Sequence, residues 1–260
     1  MLEVKNLTIA FAQNKEMKYV VDKVSFSMSE GEIVGLVGES GSGKTMLSLA
    51  ITGLLSAQAM ITNGEILLEG EDLLQAEKKE KRKKIGMEVG IVFQEPMTAL
   101  NPTMKIGRQV EERLRLHTKL KKEQRRELVY KVLKEVELEE PEKIYHKYPH
   151  ELSGGMKQRA MIASAIIGSP KLLIADEPTT ALDVKTQRQI LKLLLELNKK
   201  RNMGILFISH NLRIVGEICD NVFVMKDGNI IESGKANQIF ENPKEDYTKR
   251  LIEAIPKRKE

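Results

Sequence analysis

Gly38-Glu39-Ser40-Gly41-Ser42-Gly43-Lys44-Thr45 follows the apolar run Ile33-Val34-Gly35-Leu36-Val37 and precedes a second apolar stretch, residues 46–55. The octapeptide fits G-x-x-x-x-G-K-[ST] at every fixed position. Chance produces that pattern in roughly one chain in a hundred of this length. The order of apolar strand, glycine-rich turn and apolar helix is also the context the pattern requires. Its physics is anion capture. Gly38, Gly41 and Gly43, with Ser40 and Ser42 between them, let the backbone turn N–H groups inward around phosphate oxygens, and the helix N-terminus adds a positive dipole end. Lys44 would reach the β- and γ-phosphates, and the Thr45 hydroxyl would ligate Mg²⁺.

Downstream, Leu172-Leu173-Ile174-Ala175 is an apolar strand that ends in Asp176-Glu177. A buried strand can deliver Asp176 to a phosphate-bound Mg²⁺, and Glu177 can then polarise the attacking water as general base. A helical stretch over 184–199 and the apolar run Ile205–Ile208 follow. That strand–helix–strand spacing predicts a parallel sheet covered on both faces. Asp227-Gly228, between Val222-Phe223-Val224 and Ile230-Ile231, predicts a hairpin. Near the N-terminus, Leu2-Glu3-Val4, Leu7-Thr8-Ile9 and residues 24–28 alternate as half-buried strands do. Asn63-Gly64 and Glu69-Gly70 read as turns bracketing a short strand over 65–68. From about 104 to 138 the period becomes helical: Ile106, Val110 and Leu114 form one stripe, and Leu128, Val129, Val132, Leu133 and Val136 a second. This charged, helix-rich stretch reads as a subdomain inserted into the sheet-forming part.

The composition excludes other classes. The 260 residues are 41% hydrophobic and 30% charged, as in ordinary globular chains, and no run approaches the ~20 apolar residues of a membrane span. No basic-then-apolar leader opens the sequence, and the single cysteine, Cys219, has no internal disulfide partner. These features lead to the expectation of a cytosolic chain. Forty-two Lys+Arg against 37 Asp+Glu give a formal +5. That excess favours anionic partners without choosing among them. The densest basic run, residues 78–84, reads as a solvated helix face or loop.

Leu152-Ser153-Gly154-Gly155-Met156, ahead of the Asp176-Glu177 strand, combines with the glycine loop into a far more specific pattern than either alone. On it the chain resembles the nucleotide-binding subunits of ATP-binding-cassette (ABC) transporters over nearly all of its length. The resemblance implies an α/β P-loop NTPase fold with a RecA-like mixed sheet core, an N-terminal antiparallel β subdomain and an inserted α-helical subdomain. The whole of 1–260 would be one ABC ATPase domain: 1–94 and 161–260 the catalytic core with its antiparallel part, 95–160 the helical signature subdomain, and 236–260 a C-terminal helical tail. The ligands implied are ATP and Mg²⁺. Residue by residue, Gln94 falls at the family's Q-loop glutamine, which touches Mg²⁺ and the water. His210 matches the switch histidine at the γ-phosphate, and Ala181-Leu182-Asp183 the D-loop. Phe11 is the candidate aromatic that stacks on adenine, with Tyr19 the alternative. In the family two ATPase subunits pair head to tail, so that Ser153, Gly154 and Gly155 would cap the γ-phosphate of ATP held by a partner. Glu177 would be the catalytic base and Thr45, Gln94 and Asp176 the Mg²⁺ ligands.

Within the family, residues 94–102 (QEPMTALNP), Tyr148-Pro149-His150-Glu151, 176–183 (DEPTTALD) and Asn242-Pro243…Tyr247-Thr248…Ile255-Pro256 resemble the importer branch for peptides and nickel. Many peptide-importing members carry a cysteine-rich tail. Here the sequence stops at Glu260, which leans toward shorter, nickel-type members. Asn211 stands where Asp usually follows the switch histidine. The resemblance therefore implies an ATP-driven importer motor for peptides or nickel chelates. It would sit peripherally on the cytoplasmic face of the membrane, with permease subunits, a second and different ABC ATPase in preference to a copy of itself, and indirectly a solute-binding protein. No nucleic-acid partner is expected. The alternative is an ABC ATPase outside transport, in a phosphonate-degrading or nucleic-acid-acting assembly.

Overall fold

A computed structural model of the chain describes residues 1–13, 16–180 and 182–254. Ala181 of the D-loop match and Ile255-Pro256 of the C-terminal match lie outside the described residues. The chain divides into two compact units, Met1–Glu77 with Gly204–Glu260, and Lys78–Met203.

The first unit opens with β1 (Leu2–Gln13), β2 (Glu16–Met28), β3 (Ile33–Val37), α1 (Lys44–Thr52), β4 (Ala59–Leu68) and β5 (Glu71–Asp72). An antiparallel sheet runs β2-β1-β4-β5, with Val21, Val24, Phe26 and Met28 of β2 turned into its core. The short N-terminal strands read from the sequence are pieces of two long ones, joined through bulges between Val4 and Ala10. The expected turn at Asn63-Gly64 does not occur, because both residues lie inside β4. There Gly64, at φ +104, passes the bulged Asn6 (φ 46) of β1, and a Cβ on it would sit 2.5 Å from Leu7 Cα and 2.6 Å from the Lys5 carbonyl oxygen. The Asn-Gly pair thus serves a bulge crossing, which needs the same positive φ as a hairpin turn. Helix α1 also stops earlier than the apolar run suggests, because Gly53 (φ 68) closes it by donating to the carbonyls of Ala50 and Leu49.

The second unit follows with α2 (Lys78–Glu88), β6 (Val89–Val92), α3 (Pro96–Ala99), α4 (Ile106–His117), α5 (Lys122–Glu135), α6 (Pro141–His146), α7 (Gly154–Ile166), β7 (Leu172–Asp176) and α8 (Val184–Arg201). The basic run lies on α2, where Lys79, Arg82 and Lys83 are exposed. The stripes on α4 and α5 bury Ile106, Val110 and Leu114 in one helix and Val129, Val132 and Leu133 in the other. Each such side chain contributes roughly 1.5–3 kcal/mol on leaving water. Arg113 of α4 is nearly enclosed and donates to the carbonyls of Ala165 (3.0 Å) and Val89 (2.9 Å), so α4 is tied to the end of α7 and the start of β6. Burial lowers its pKa to about 10. Strands β6 and β7 pair in parallel.

The chain then returns to the first unit with β8 (Gly204–Ile208), α9 (Leu212–Ile218), β9 (Asn221–Lys226), β10 (Asn229–Lys235), α10 (Ala236–Glu241) and α11 (Asp246–Glu253). Strands β8 and β9 flank β3, both parallel to it, and β10 turns back antiparallel to β9. All five residues of β3 are buried, as are all five of β8, as expected of central strands without a solvent face. The Asp227-Gly228 hairpin forms as expected, with both residues at positive φ (45° and 82°), the type I′ geometry that matches strand twist.

Candidate nucleotide-binding and hydrolysis residues

In the first unit the loop after β3 folds around its own lysine. Lys44 donates from Nζ to the carbonyls of Gly38 and Glu39, both at 2.8 Å, and to Ser42 Oγ at 3.2 Å. Only 7% of Lys44 is exposed, so the ammonium is held by loop oxygens. Gly43 precedes α1 at φ 106 with no side-chain cap. A Cβ there would lie 2.5 Å from the Val20 carbonyl oxygen of β2, and one on Gly38 would lie 2.1 Å from that of Met225 of β9. The loop is therefore wedged between two neighbouring backbones that leave no room for side chains. A Cβ on Gly41, at φ 86, would meet nothing within 4 Å, and Ser40 and Thr45 are exposed beside it. Ser40, Gly41 and Thr45 are thus exposed at the dipole-positive start of α1, an end suited to an anion.

Two other expected residues of this unit flank the loop differently. His210 is exposed at the end of β8, beside Asn211, whose N–H donates to Ser209 Oγ at 3.0 Å. Phe11 lies opposite Lys18 and Tyr19 opposite Ala10 in the β1–β2 pairing. Because directly opposed residues share a face and successive ones alternate, Phe11 and Tyr19 point to opposite faces of the ribbon. Only one of them can stack on a given base. Tyr19 is 58% exposed, and the carbonyl of its neighbour Val20 lies against Gly43.

In the second unit the structure brings Gln94 and Glu177 together. Gln94 Nε2 donates to Glu177 Oε2 at 2.8 Å, and Thr180 Oγ1 donates to the same oxygen at 3.0 Å. Glu177 is the first residue beyond β7 and sits at φ 47. This left-handed conformation turns the chain sharply after the buried Asp176 and costs of order 1–2 kcal/mol for a residue with a Cβ. Thr180 was not singled out by the sequence, yet it fixes the carboxylate as firmly as Gln94 does.

The signature residues cap α7. Ser153 is its N-cap, with Oγ accepting from Met156 N–H at 3.4 Å. Both Ser153 and Gly154 are exposed. Gly155 faces Thr186 of α8, where a Cβ would come within 2.8 Å of its methyl group. Asp183 caps α8, accepting from Lys185 N–H (3.1 Å), Thr186 N–H (3.0 Å) and Thr186 Oγ1 (2.6 Å). The bonds from Thr186 and Lys185 hold its carboxyl below the ordinary range against a small desolvation cost. Behind the signature, Gln158 donates to the Pro178 carbonyl (2.6 Å) and Arg159 to that of Val136 (2.9 Å), so the buried polar face of α7 is satisfied. Among the described residues, no group of three or more His, Cys, Asp or Glu is placed to hold a metal by protein ligands alone.

Sequence and structure comparisons converge on these elements. The ABC transporter family model matches residues 21–180. The chain belongs to the ABC transporter family. A dipeptide transport ATP-binding protein of Haemophilus influenzae is 46% identical to this ABC ATPase over 98% of the chain and 78% of the relative. An oligopeptide transport ATP-binding protein of Bacillus subtilis is 47% identical over the same shares. The solved dimeric ATP-binding cassette in a post-hydrolysis state with ADP and Pi matches at TM-score 0.80 and 30% identity, covering 91% of this chain and 99% of that one. The mixed sheet, antiparallel sheet and helical segment are those of an ABC cassette. Among the described residues, no helix of this ABC ATPase is long and apolar enough to cross a membrane.

Proposed function

We propose that the chain is the ATP-hydrolysing subunit of a peptide importer, seated peripherally on the cytoplasmic face of the membrane against permease subunits. The observation that carries the reading is the 46% identity, over 98% of the chain, with a dipeptide transport ATP-binding protein. The lean toward nickel gives way to peptide, the cargo in the names of both reported relatives.

In this reading Lys44, already poised on the Gly38 and Glu39 carbonyls, pairs with the β- and γ-phosphates, while Gly38, Ser40, Gly41, Ser42, Gly43 and Thr45 wrap them with backbone donors. The adenine stacks on Phe11, or on Tyr19 from the opposite face. Thr45, Asp176 and Gln94 are hard oxygen donors of the type Mg²⁺ prefers, and a set this small suits an ion that keeps waters and phosphate oxygens. Bound there, Mg²⁺ would neutralise charge on the phosphates. Glu177, oriented by Gln94 and Thr180, takes the proton of the attacking water as general base. His210 donates to the γ-phosphate. The exposed start of α7, with Ser153, Gly154 and Gly155, receives the γ-phosphate held by a second, different ABC ATPase, and Asp183 lies beside that contact. The whole chain acts as one ABC ATPase domain, with 95–160 as its signature subdomain and 236–260 as its tail.

Expressed with its neighbours in the membrane, the chain is expected to co-purify with two hydrophobic subunits, and peptide-loaded binding protein should raise ATP turnover. Recovery without membrane partners, together with salt-sensitive binding to DNA or RNA, would replace the importer by a nucleic-acid-acting ATPase.

A further inference from the structure

Helix α11 ends the described chain and lies far from the phosphate loop in sequence. Yet Tyr247, its second residue, is buried to 7% exposure and accepts a hydrogen bond at Oη from the Glu39 N–H at 3.0 Å. The peptide that carries this N–H also carries the Gly38 carbonyl, which accepts from Lys44 Nζ at 2.8 Å. No peptide bond among the described residues is cis, so the N–H and C=O of this unit point in opposite directions. Tyr247 therefore grips one edge of the first loop peptide and Lys44 the other. A rotation of that peptide would break both bonds together.

Further contacts hold the ring, the segment that carries it and the loop peptide it meets. The Lys226 ammonium of β9 lies 5.3 Å from its ring centroid, a cation–π geometry. Glu232 of β10 accepts from the N–H groups of Lys244 (2.7 Å) and Glu245 (3.1 Å), which lead into α11. Desolvation pushes the Glu232 carboxyl up, but the bond from Lys244, the Thr248 hydroxyl, the bond from Glu245 and the Lys244 charge outweigh it and hold the carboxyl below its ordinary range. The Gly38 end of the peptide rests on the Met225 carbonyl, where not even a Cβ would fit.

We infer that Tyr247 is a positioning residue for nucleotide binding: its hydroxyl fixes the Gly38–Glu39 peptide so that two loop carbonyls hold the Lys44 ammonium where the phosphates arrive. The C-terminal helix is thus part of the phosphate site, acting through the loop and not on the nucleotide. This inference rests on the phosphate-binding role of the loop proposed above. It assigns a task to the Tyr247-Thr248 segment, which the sequence marks only as a resemblance to one branch of the family.

Tyr247→Phe, made in the full chain, removes the hydroxyl and keeps the ring. The expected result is a roughly three- to tenfold rise in both the dissociation constant for a fluorescent ATP analogue and the KM for ATP, the size of one net hydrogen bond. Turnover at saturation should stay within about twofold, and the Glu39 amide should exchange with solvent faster than in the wild type by ¹H–¹⁵N spectroscopy. Unchanged affinity alongside faster Glu39 exchange would overturn the inference, because the bond would then hold the loop without setting nucleotide binding. Weakened affinity with an unaltered Glu39 amide would overturn it as well, by placing the effect elsewhere. Lys44→Ala separates the two levels. If it binds the analogue as the wild type does, the loop reading itself falls. If it loses binding while Tyr247→Phe does not, only the role of Tyr247 is removed.

Discussion

The glycine loop before α1 is shaped mainly by its own carbonyls and by close backbone neighbours, with the Lys44 ammonium at its centre and the Tyr247 hydroxyl on one peptide edge, whereas Glu177 beyond β7 is oriented by side chains alone. Around the loop, Lys44 binds the Gly38 and Glu39 carbonyls, Gly228 N–H donates to the Ser42 carbonyl at 3.1 Å, and Gly43 abuts the Val20 carbonyl. Beyond β7, Glu177 is oriented by the side chains of Gln94 and Thr180, and Asp183 by the Thr186 hydroxyl together with the N–H groups of Lys185 and Thr186. A main-chain cradle tolerates almost no change of residue, because what it needs is the absence of Cβ atoms and a fixed set of φ values. A side-chain cradle can be altered one atom at a time without disturbing the backbone. The difference suits the proposed tasks. Phosphates need many weak donors in a rigid shell, while water activation needs one oxygen with a defined proton affinity and direction.

The comparison breaks most sharply at Glu177. Glu177→Gln changes one oxygen to an amide nitrogen within the side-chain cradle. It should lower turnover by about 10²- to 10⁴-fold while ATP affinity is kept, trapping an ATP-bound pair with the partner ATPase, visible as a rise in mass by light scattering when the two are mixed. Turnover near that of the wild type would remove Glu177 as the base. The main-chain cradle is probed next with two glycines. Gly43→Ala combines a positive φ with a Cβ 2.5 Å from the Val20 carbonyl. It should cost about 1–3 kcal/mol of unfolding free energy and abolish nucleotide binding. Gly41→Ala has the positive φ but open space around it, so its cost should stay at the strain alone, about 1 kcal/mol. Equal losses in urea melts for the two would mean that conformation, and not the close approach of strands, makes the loop rigid.

The same contrast explains what could be read from the sequence. Main-chain demands leave a local record: three glycines within six positions of Gly38–Gly43, Asp227-Gly228 at the hairpin, and the helical stripes of α4 and α5 were all legible. Side-chain cradles leave none, since Gln94 and Glu177 are separated by 83 positions and nothing but family resemblance joined them. Thr180 lies only three positions from Glu177, but a threonine there carries no sign of which side chain it bonds. Tyr247, 208 positions from Glu39, was legible only as part of a branch motif. Local signals also mislead where one backbone conformation serves two purposes. Asn63-Gly64 has the composition of a hairpin turn, and only the arrival of Asn6 from a distant strand shows that its positive φ belongs to a bulge crossing.

The smallest effect should appear where a side-chain cradle has no catalytic task. Glu135, at the end of α5, receives Arg201 of α8 on both oxygens (3.1 and 2.5 Å) and Lys200 at 3.2 Å. Arg201 in turn donates to the Ile166 carbonyl at the end of α7 at 2.7 Å. The hydrogen bond from Arg201, opposed by desolvation and helped by the charges of Arg201 and Lys200, holds the Glu135 carboxyl below its ordinary range. A carboxyl depressed in the folded state adds stability that is fully present above its unfolded pKa, about 4.3. That contribution is lost as pH falls through the lower folded value. Glu135→Gln should therefore cost about 1 kcal/mol at pH 7, as expected of a partly exposed ion pair, and the gap in thermal midpoint should close as the pH is lowered below 4. ATP turnover should follow stability alone. A gap that persists in acid would mean that Glu135 contributes through packing and not through charge, and a turnover loss at full stability would extend the catalytic cradle to a place where neither sequence nor structure puts it.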